Sequence, residues 1–445
     1  MNDWRQVMAQ SPKIAVIGSG LGGFGAAHRL RSQGLEPVLY EKNPYHGGHA
    51  ASHHFDGFIF DEGPHVSFTA DEQVRQLFAR SVQDRYEIVH AKVNNYWKGY
   101  WIRHPVITSM YGLPPELIVN VLRDFVEKPN TAPGDLRNYE EWLIACYGRT
   151  YAETFPMQYT KKYHTTTADN MSTEWVGPRL YQADLEEAIL GAVSKDTPNI
   201  HYVQEYRYPA QNGFVSFLDL FKEHSNILLN YRIEKIVPKA KELHFTHGAV
   251  VPYDHLISSV PLPELVPMIE GVPSRVVEAS RNLACTNLVL VNVGIARPDV
   301  SSASWSYFYD DDMPFSRISF PRTFSSSTVP DGASSIQCEL YFSGKYRPLD
   351  RSPKDYIEPV IDGLRRCGLI REDDRILHRS TMHIPYANII FDLDRAGALH
   401  TVHGYLDDLG IAHCGRYGDW GYLWTDTSFM SGESAAQRIL DKITT

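Results

Sequence analysis

Short apolar runs and helix-like stretches alternate at the start of the chain. Residues 14–17 form a continuous apolar run, which predicts a fully buried strand of a parallel sheet. Residues 26–30 carry apolar positions at helical spacing, and Gly34 marks the end of that helix. Residues 37–40 form a second apolar run. The order predicts a strand–helix–strand unit with parallel strands.

The hydrophobic pattern changes twice further along the chain. Residues 114–187 are mostly polar with helical periodicity, which predicts an inserted helical domain. Residues 286–383 contain repeated strand-like segments, which predict a mostly antiparallel sheet domain. Residues 429–443 predict a closing helix, with Asp426 or Thr427 as its N-cap.

A glycine motif lies between the first predicted strand and helix. Gly18-Ser19-Gly20-Leu21-Gly22-Gly23 matches G-x-G-x-x-G in the context that this motif requires. Gly18 allows a tight turn, Gly20 lets a pyrophosphate approach the backbone, and Gly23 lets helix and strand pack closely. The helix N-terminus attracts phosphate, and Glu41 is placed to accept a hydrogen bond from a ribose hydroxyl. The segment predicts a dinucleotide site.

Two further segments indicate which dinucleotide binds. Gly47-Gly48 forms a second glycine turn that resembles the turn beside the FAD phosphates in flavoproteins of the glutathione-reductase and amine-oxidase type. Residues 410–422 resemble the last segment of such enzymes, where a helix N-terminus faces the flavin. An ordinary loop and an ordinary final strand–helix unit are the alternatives. The cofactor is predicted to be FAD, held by Gly18, Gly20, Gly23, Glu41, Lys42, Gly47, Gly48, His49, Gly415, Arg416, Tyr422 and Leu423.

Together these patterns predict the α/β fold class. The expected architecture is an FAD-binding Rossmann-like domain of the glutathione-reductase type with a helical insert and an antiparallel β-sheet substrate domain. Residues 1–90, 205–265 and 400–445 are assigned to a discontinuous FAD-binding domain. Residues 105–204 are assigned to the helical insert. Residues 91–104 and 266–399 are assigned to the sheet domain.

The composition limits which kinds of molecule the protein is expected to bind. The chain of 445 residues is long enough for two or three domains, and 43% hydrophobic and 22% charged residues are ordinary for a soluble protein. A net charge of −10 argues against nucleic acid and against anionic membranes. The chain has five scattered cysteines, and it shows no metal-ligand spacing, no signal-peptide pattern and no run of about 20 apolar residues. These features predict a cytoplasmic protein without a membrane span.

The glycine motifs resemble those of the amine-oxidase and protoporphyrinogen-oxidase superfamily, and four further stretches indicate one family within it. They resemble the UDP-galactopyranose mutase family, and its eukaryotic-type enzymes more than its short bacterial type. One departure is Phe324, which stands where the family pattern has a tyrosine and so removes one hydroxyl from the implied diphosphate site. The stretches are Gly63–Phe68, Trp175–Arg179, Met313–Arg317 and Gly415–Tyr422.

The resemblance implies roles for particular side chains. Arg179 and Arg317 would hold the substrate diphosphate, and His65 would lie beside the flavin; these three are the implied catalytic residues. Forked guanidinium groups suit a doubly anionic diphosphate. For a lone arginine, a surface ion pair is the alternative, and for His65 a hydrogen-bonded core histidine. The implied substrate-binding residues are Tyr307, Tyr386, Tyr422, Trp175 and Phe68.

The resemblance also implies the reaction. The enzyme would interconvert pyranose and furanose forms of a UDP-linked sugar of the galactose type, for polysaccharide biosynthesis, through a covalent adduct between N5 of reduced flavin and the sugar. Its partners would be a nucleotide-diphosphate sugar and a reductant such as NAD(P)H. The helical insert offers a surface for a homodimer. A true FAD-dependent oxidoreductase of the superfamily and a non-catalytic dinucleotide-binding protein are the alternatives.

Overall fold

The computed structural model describes residues 11–129, 135–177 and 180–444. Within them the chain forms two compact units. The first unit contains residues 11–48, 218–282 and 397–444, and the second contains residues 49–217 and 283–396, less the undescribed positions. No helix in these ranges is both long and apolar enough to cross a bilayer.

A five-stranded parallel sheet forms the centre of the first unit. The glycine-motif strand Ile14–Ile17 is its middle strand and is buried along its whole length, as its apolar sequence predicts. Because its neighbours come from distant segments, the sheet joins three parts of the chain. The strand order is Ala412–His413, His255–Ser258, Ile14–Ile17, Val38–Tyr40 and Asn226–Leu228.

A small antiparallel sheet and several helices complete the first unit. The antiparallel strands are Ile233–Val237, Glu242–Phe245 and Val250–Pro252. The helices are Leu21–Arg31, Asp219–Glu223, Leu262–Met268, Ser274–Asn282, Arg395–Asp408, Gly415–Gly418 and Thr425–Thr444. The last helix begins four residues before the predicted Phe429, so Asp426 and Thr427 lie in its first turn rather than before it.

The helices Leu21–Arg31 and Thr425–Thr444 pack with their backbones in close contact. A Cβ atom added at Gly25 would lie 2.0 Å from the carbonyl oxygen of Phe429, and one added at Gly432 would lie 1.9 Å from that of Gly22. No side chain fits at either position. The glycines therefore set the distance between the two helices.

The second unit contains a seven-stranded sheet. One face packs against helix Ile357–Arg366, whose buried residues include Val360, Ile361 and Leu364. All neighbouring pairs are antiparallel except Trp305–Phe308 with Val93–Trp97, which is parallel. The strand order is Ile376–Ile384, Thr286–Ile295, Ser334–Ser343, Arg317–Ser319, Trp305–Phe308, Val93–Trp97 and Tyr100–Arg103.

Most remaining elements of the second unit are helices with local N-caps. Asp71 Oδ1 accepts from the backbone N of Val74 (2.9 Å), and Asp184 forms a capping box with Glu187. Two strand pairs join Ser52–Phe55 with Phe58–Asp61 and Tyr86–His90 with Glu205–Pro209. The α-helices are Glu72–Ser81, Pro115–Glu127, Tyr139–Tyr147, Arg149–Thr154, Pro156–Tyr163 and Leu185–Val193. Short 3₁₀ helices are Gly48–Ala50, Val106–Thr108, Ala168–Asn170, Phe214–Leu218, Pro321–Thr323, Ser326–Thr328 and Pro353–Tyr356.

The parallel sheet, the helical stretch and the mostly antiparallel sheet are all present. The parallel pairing of Val93–Trp97 is the exception to the antiparallel pattern, because that hairpin joins the sheet from a much earlier part of the chain. The boundaries of the three predicted domains stay a prediction beside the two units described above.

Substituting Gly432 tests the helix contact. We expect Gly432→Ala to lower the free energy of unfolding by about 1–3 kcal/mol, because the methyl group collides with backbone atoms. The matched control is Gly404→Ala on helix Arg395–Asp408, where nothing lies within 4 Å of the added Cβ. That control should stabilise by roughly 0.5–1 kcal/mol. Urea unfolding measures both, and equal effects would contradict the packing argument.

Candidate functional site

The glycine motif forms a tight turn between strand and helix in the first unit. Gly18 has φ +94°, and its backbone N donates to Tyr40 O (2.9 Å). A Cβ at Gly23 would lie 1.9 Å from Gly18 O, so this glycine is required by packing. Both observations agree with the roles expected from the sequence.

Gly20 differs from its neighbours because protein packing does not require it to be glycine. The nearest atoms to a Cβ at this position belong to Gly47 and Gly48, at 3.7 Å or more, which is ordinary van der Waals contact. Gly20 is the N-cap of helix Leu21–Arg31; no side chain caps that helix, and its first turn holds no acidic residue. Uncapped N–H groups beside an open backbone position suit the pyrophosphate of FAD.

Glu41 is buried and lies at the end of the second strand, as the motif requires. Its Oε2 accepts from Ser19 N and Ser19 Oγ, both at 3.0 Å, and its Oε1 accepts from Asn43 N at 2.9 Å. A carboxylate has about four lone-pair sites, so capacity for a ribose hydroxyl remains. Lys42 Nζ lies 3.3 Å from Glu264 Oε2.

The C-terminal motif reaches the same glycine helix. A Cβ added at Gly22 would lie 3.0 Å from Gly415 Cα, so these two segments touch through their backbones. Arg416 Nε donates to Leu423 O (2.9 Å), and its guanidinium lies 5.0 Å from the centre of the Tyr422 ring. The structure therefore brings Gly415, Arg416, Tyr422 and Leu423 into one turn.

His49 and His53 hold a buried glutamate in the second unit. His49 Nδ1 lies 3.0 Å from Glu62 Oε2, and His53 Nε2 lies 3.0 Å from Glu62 Oε1. Burial alone would raise the pKa of Glu62, but these contacts outweigh it and lower the pKa to about 2. His49 thus binds a carboxylate of the chain, and its predicted cofactor role stays a prediction.

Arg317 lies in a row of polar side chains across three strands of the second unit. Tyr307 is its Cα partner on one neighbouring strand and Glu339 on the other. Arg317 Nε donates to Glu339 Oε1 (2.7 Å), and Glu339 has no exposed surface. Burial opposes the charge of Arg317, but Glu339 outweighs it and holds the pKa well above its usual value. The structure places Arg317 and Tyr307 side by side.

Tyrosines surround this arginine. The Arg317 guanidinium lies 5.9 Å from the centre of the Tyr163 ring, and Tyr163 stacks on Tyr159 at 5.1 Å. Tyr159 also meets the edge of Tyr307 at 5.3 Å, and the hydroxyl of Tyr341 donates to Glu339. The cluster offers one cation with phenol groups around it, an arrangement suited to an oxyanion.

A buried lysine fixes the loop before Arg317. Lys162 Nζ donates to the backbone oxygens of Asp310 (2.6 Å) and Met313 (3.0 Å). Burial lowers the pKa of Lys162 to about 7. Helix Pro156–Tyr163 is thereby tied to the segment that ends in Arg317.

A cavity of about 220 Å³ lies beside Tyr307. It is lined by His104 and His201 among others, and the His104 ring lies 5.1 Å from that of Tyr307. Burial lowers the pKa of His104 well below its usual value and that of His201 to about 4, so both rings are neutral at pH 7. His201 Nε2 is buried without a hydrogen-bond partner in the described ranges.

The other predicted substrate residues lie in separate places. His65 Nδ1 donates to Gly63 O (3.0 Å), and Phe68 meets the Tyr202 ring at 6.2 Å. Trp175 packs on His164 (5.1 Å between ring centres), which follows Tyr163 in the chain. Tyr386 is half-buried just beyond strand Ile376–Ile384. Arg179 lies outside the described residues.

Several residues of this cluster were not identified from the sequence. Tyr159 and Tyr163 are spaced four apart, which places them on one side of a helix. Glu339 is a single charge inside the otherwise uncharged strand Ser334–Ser343. The tyrosine spacing and the isolated charge of Glu339 are both visible in the sequence. His104 and His201 are far apart in the sequence, and only folding brings them together.

The family follows from comparison with known proteins. Residues 21–440 match the model of the family described as flavin containing amine oxidoreductase, so the chain belongs to that family of flavin enzymes. FAD is its cofactor, as predicted, and the predicted fold class is confirmed.

Among solved structures, a reduced UDP-galactopyranose mutase superposes with a TM-score of 0.89. It is 26% identical, and the match covers 97% of this chain and 96% of that one. A putative protoporphyrinogen oxidase from Exiguobacterium sp. 255-15 has a TM-score of 0.76 at 14% identity, covering 97% and 99%. The second likeness shows the fold alone.

Curated relatives match only a short stretch. The chain is 40% identical over 78 residues to a 4,4'-diapophytoene desaturase of Staphylococcus aureus (strain bovine RF122 / ET3-1), covering 17% of this chain and 16% of that enzyme. It is 37% identical over 89 residues to a 4,4'-diaponeurosporene oxygenase of Staphylococcus aureus (strain Mu50 / ATCC 700699), covering 20% and 18%. The chain therefore spans less than a fifth of the length of these relatives.

Substituting Gly20 tests the phosphate site. We expect Gly20→Ala to keep the apoprotein folded, since the added methyl meets only ordinary contacts, and to weaken FAD binding by about tenfold or more through steric conflict with the pyrophosphate. Gly23→Ala should instead lower stability. Flavin absorbance per polypeptide and circular dichroism separate the two, and a Gly20→Ala protein with full flavin affinity would contradict the placement.

Acid titration tests the glutamate held by two histidines. The folded pKa of Glu62 lies below the ordinary value of 4.5, so its stabilisation is complete above about pH 4.5 and is lost as the pH falls towards 2. The loss is about 3 kcal/mol in wild type and absent in Glu62→Gln. Glu36→Gln, a surface control whose carboxylate is 70% exposed, should leave the curve unchanged. Parallel curves for wild type and Glu62→Gln would refute the pairing.

Proposed function

We propose that the protein is a nucleotide-sugar mutase that interconverts pyranose and furanose forms of a UDP-linked sugar of the galactose type. The observation that carries the proposal is Arg317, held by buried Glu339 beside Tyr307, in a flavin enzyme whose fold resembles a reduced UDP-galactopyranose mutase. The closeness to eukaryotic-type enzymes and the place in polysaccharide biosynthesis are parts of the same proposal.

The guanidinium of Arg317 is held in an orientation that suits binding of an anion. Its Nε is occupied by Glu339, which fixes the orientation of the planar guanidinium. The two terminal nitrogens make no hydrogen bond with residues 11–129, 135–177 or 180–444. Two parallel N–H groups are the donor geometry that suits a phosphate. Arg179, predicted from its motif, is proposed as the second cation of this site.

The cavity beside Tyr307 is proposed to take the nucleobase. A uracil ring presents carbonyl oxygens and one N–H, and it is flat and uncharged. Neutral His104 and His201 offer ring nitrogens for hydrogen bonds without adding charge. His104 Nδ1 donates to Asn95 Oδ1 (3.1 Å), which leaves its Nε2 as an acceptor.

Gly18, Gly20 and Glu41 would hold FAD, and the reduced cofactor would supply a nucleophile for the anomeric carbon. The chain holds the departing diphosphate: Arg317 meets its charge, and Tyr307 supplies a neutral donor. Tyr386, Tyr422, Trp175 and Phe68 are each proposed as further substrate-binding residues, and His65 is proposed as a catalytic residue. NAD(P)H as reductant, cytoplasmic location and a homodimer are also proposals.

A second candidate is a net FAD-dependent oxidoreductase. Membership of the amine oxidoreductase family and the short matches to a desaturase and an oxygenase favour it. Such an enzyme would pass electrons from its substrate to the flavin, whereas a mutase ends each cycle with the flavin in its starting state. Loss of the oxidised flavin spectrum on adding substrate anaerobically would favour this candidate.

The assay uses holoenzyme reduced with dithionite and supplied with UDP-galactofuranose. Formation of UDP-galactopyranose, separated by chromatography, supports the proposal. Oxidised enzyme is the control and should be inactive. If no UDP-sugar is converted and none raises the melting temperature of the reduced enzyme, the mutase proposal is wrong.

Substituting Arg317 tests the diphosphate site directly. We expect Arg317→Lys to raise the Kd for UDP by about tenfold or more, because Lys keeps the charge but loses the fork, and a charge-assisted hydrogen bond contributes roughly 1.5–3 kcal/mol. The matched control is Arg297→Lys, which also replaces an arginine bound to a carboxylate, Asp374 (2.8 Å). Titration calorimetry measures both. Equal affinities for the two variants would remove Arg317 from the binding site.

A further inference from the structure

Two histidine rings stack face to face in the first unit, next to the C-terminal motif. The rings of His403 and His413 lie 3.9 Å apart between their centres, and their planes differ by only 9°. His403 belongs to helix Arg395–Asp408, and His413 ends the strand Ala412–His413. Histidine changes its charge near neutral pH, and two rings in contact titrate as a coupled pair rather than independently.

Both rings are connected to the short helix Gly415–Gly418 and the residue that follows it. His403 is half-buried, and its Nε2 donates to Gly418 O (2.9 Å). His413 Nδ1 lies 2.9 Å from Asp419 Oδ1. The stack therefore contacts the end of the helix from both rings.

The contacts continue to the backbone that packs on the glycine helix. Ser431 Oγ donates to Asp419 Oδ2 and accepts from Gly415 N (2.9 Å). Gly415 contacts Gly22 through its backbone, as described above. Residues 410–422 are predicted to face the flavin, so these hydrogen bonds link the histidine pair to the cofactor site of the first unit.

The stack can carry one positive charge but not two. Asp419 lies beside His413, so a proton taken up by the pair is favoured on that ring. A second proton, on His403, would place two like charges 3.9 Å apart. Burial and the neighbouring His413 both lower the pKa of His403. The groups that oppose this lowering only in part are the Gly418 carbonyl, Asp419 and Asp407.

Acid therefore acts against the stacked arrangement. A His403 ring that leaves the stack regains the ordinary histidine pKa of 6.5, so the open arrangement binds a proton that the stacked one excludes. The stabilisation from stacking is complete above about pH 6.5 and is lost as the pH falls below it. Arg438 donates to His413 O (2.7 Å), and its fixed positive charge also disfavours a second proton.

We propose that the His403–His413 pair is a pH-sensitive switch for retention of FAD. With at most one proton the rings stay stacked and the C-terminal motif holds the cofactor, whereas a second proton separates the rings and weakens FAD binding. The inference goes beyond the proposed function. It concerns the cofactor and not the substrate, so it applies equally to a mutase and to an oxidoreductase.

The test measures FAD release from the holoenzyme between about pH 5 and pH 7.5, with free flavin detected by its fluorescence after dilution. In wild type we expect a constant Kd for FAD above about pH 6.5 and a rise of about tenfold or more between pH 6.5 and pH 5, because release is coupled to proton uptake. His403→Phe keeps an aromatic ring for stacking, and His403→Gln keeps a donor for Gly418 O. Neither variant titrates in this range, so the rise should be absent from both.

The matched control is His244→Gln on the small antiparallel sheet. His244 Nε2 lies 3.1 Å from Glu242 Oε2, so this variant also removes a titrating ring that contacts a carboxylate in the first unit. It should keep the rise in Kd that wild type shows.

Three results would overturn the inference. The first is a wild-type Kd for FAD that does not change with pH, and the second is an equal rise in both His403 variants. The third is loss of the helical circular-dichroism signal of wild type at the same pH as flavin release, since general acid unfolding would then explain the release.

Discussion

The buried carboxylate of Glu339 is the constraint on which the cluster around Arg317 in the second unit depends. An unpaired charge without exposed surface would destabilise the sheet by several kcal/mol, so the strand needs a cation opposite this position. Arg317 supplies it through Nε, and the Tyr341 hydroxyl satisfies the second oxygen. The ion pair that stabilises buried Glu339 also fixes the plane of the Arg317 guanidinium. The contact that folding requires is thus also the one that orients the guanidinium proposed to bind the diphosphate.

A contact could be predicted from the sequence when its two residues lie close together along the chain. The Gly18 turn is local and was predicted from the glycine motif. The caps Asp71 and Asp184 also act within three residues, so their signals lie in the sequence although they were not predicted. Gly25 and Gly432 were missed because their contacts lie about 400 positions away. Tyr307 and Arg317 were expected from resemblance, but only strand register makes them neighbours. His104 and His201 gave no signal of their own, since their burial and their proximity are properties of the folded chain.

The two units differ in how much their residues indicate about the substrate. The first carries the flavin turn that is shared by a family of oxidoreductases, and its glycines say nothing about the substrate. The second carries the arginine, the tyrosines and a cavity lined partly by histidines. A site for an apolar hydrocarbon would not need a cation and phenol hydroxyls, whereas a charged, hydroxylated ligand would use them. The distinction between mutase and oxidoreductase therefore lies in the second unit.

The close contact between helices Leu21–Arg31 and Thr425–Thr444 has a consequence for folding. The central sheet also takes its strands from residues 14–17, 38–40, 226–228, 255–258 and 412–413. Segments that are far apart in the sequence must therefore meet before the glycine turn is covered. Assembly of so non-local a sheet is intrinsically slow, and its apolar central strand stays uncovered until the distant strands pair with it.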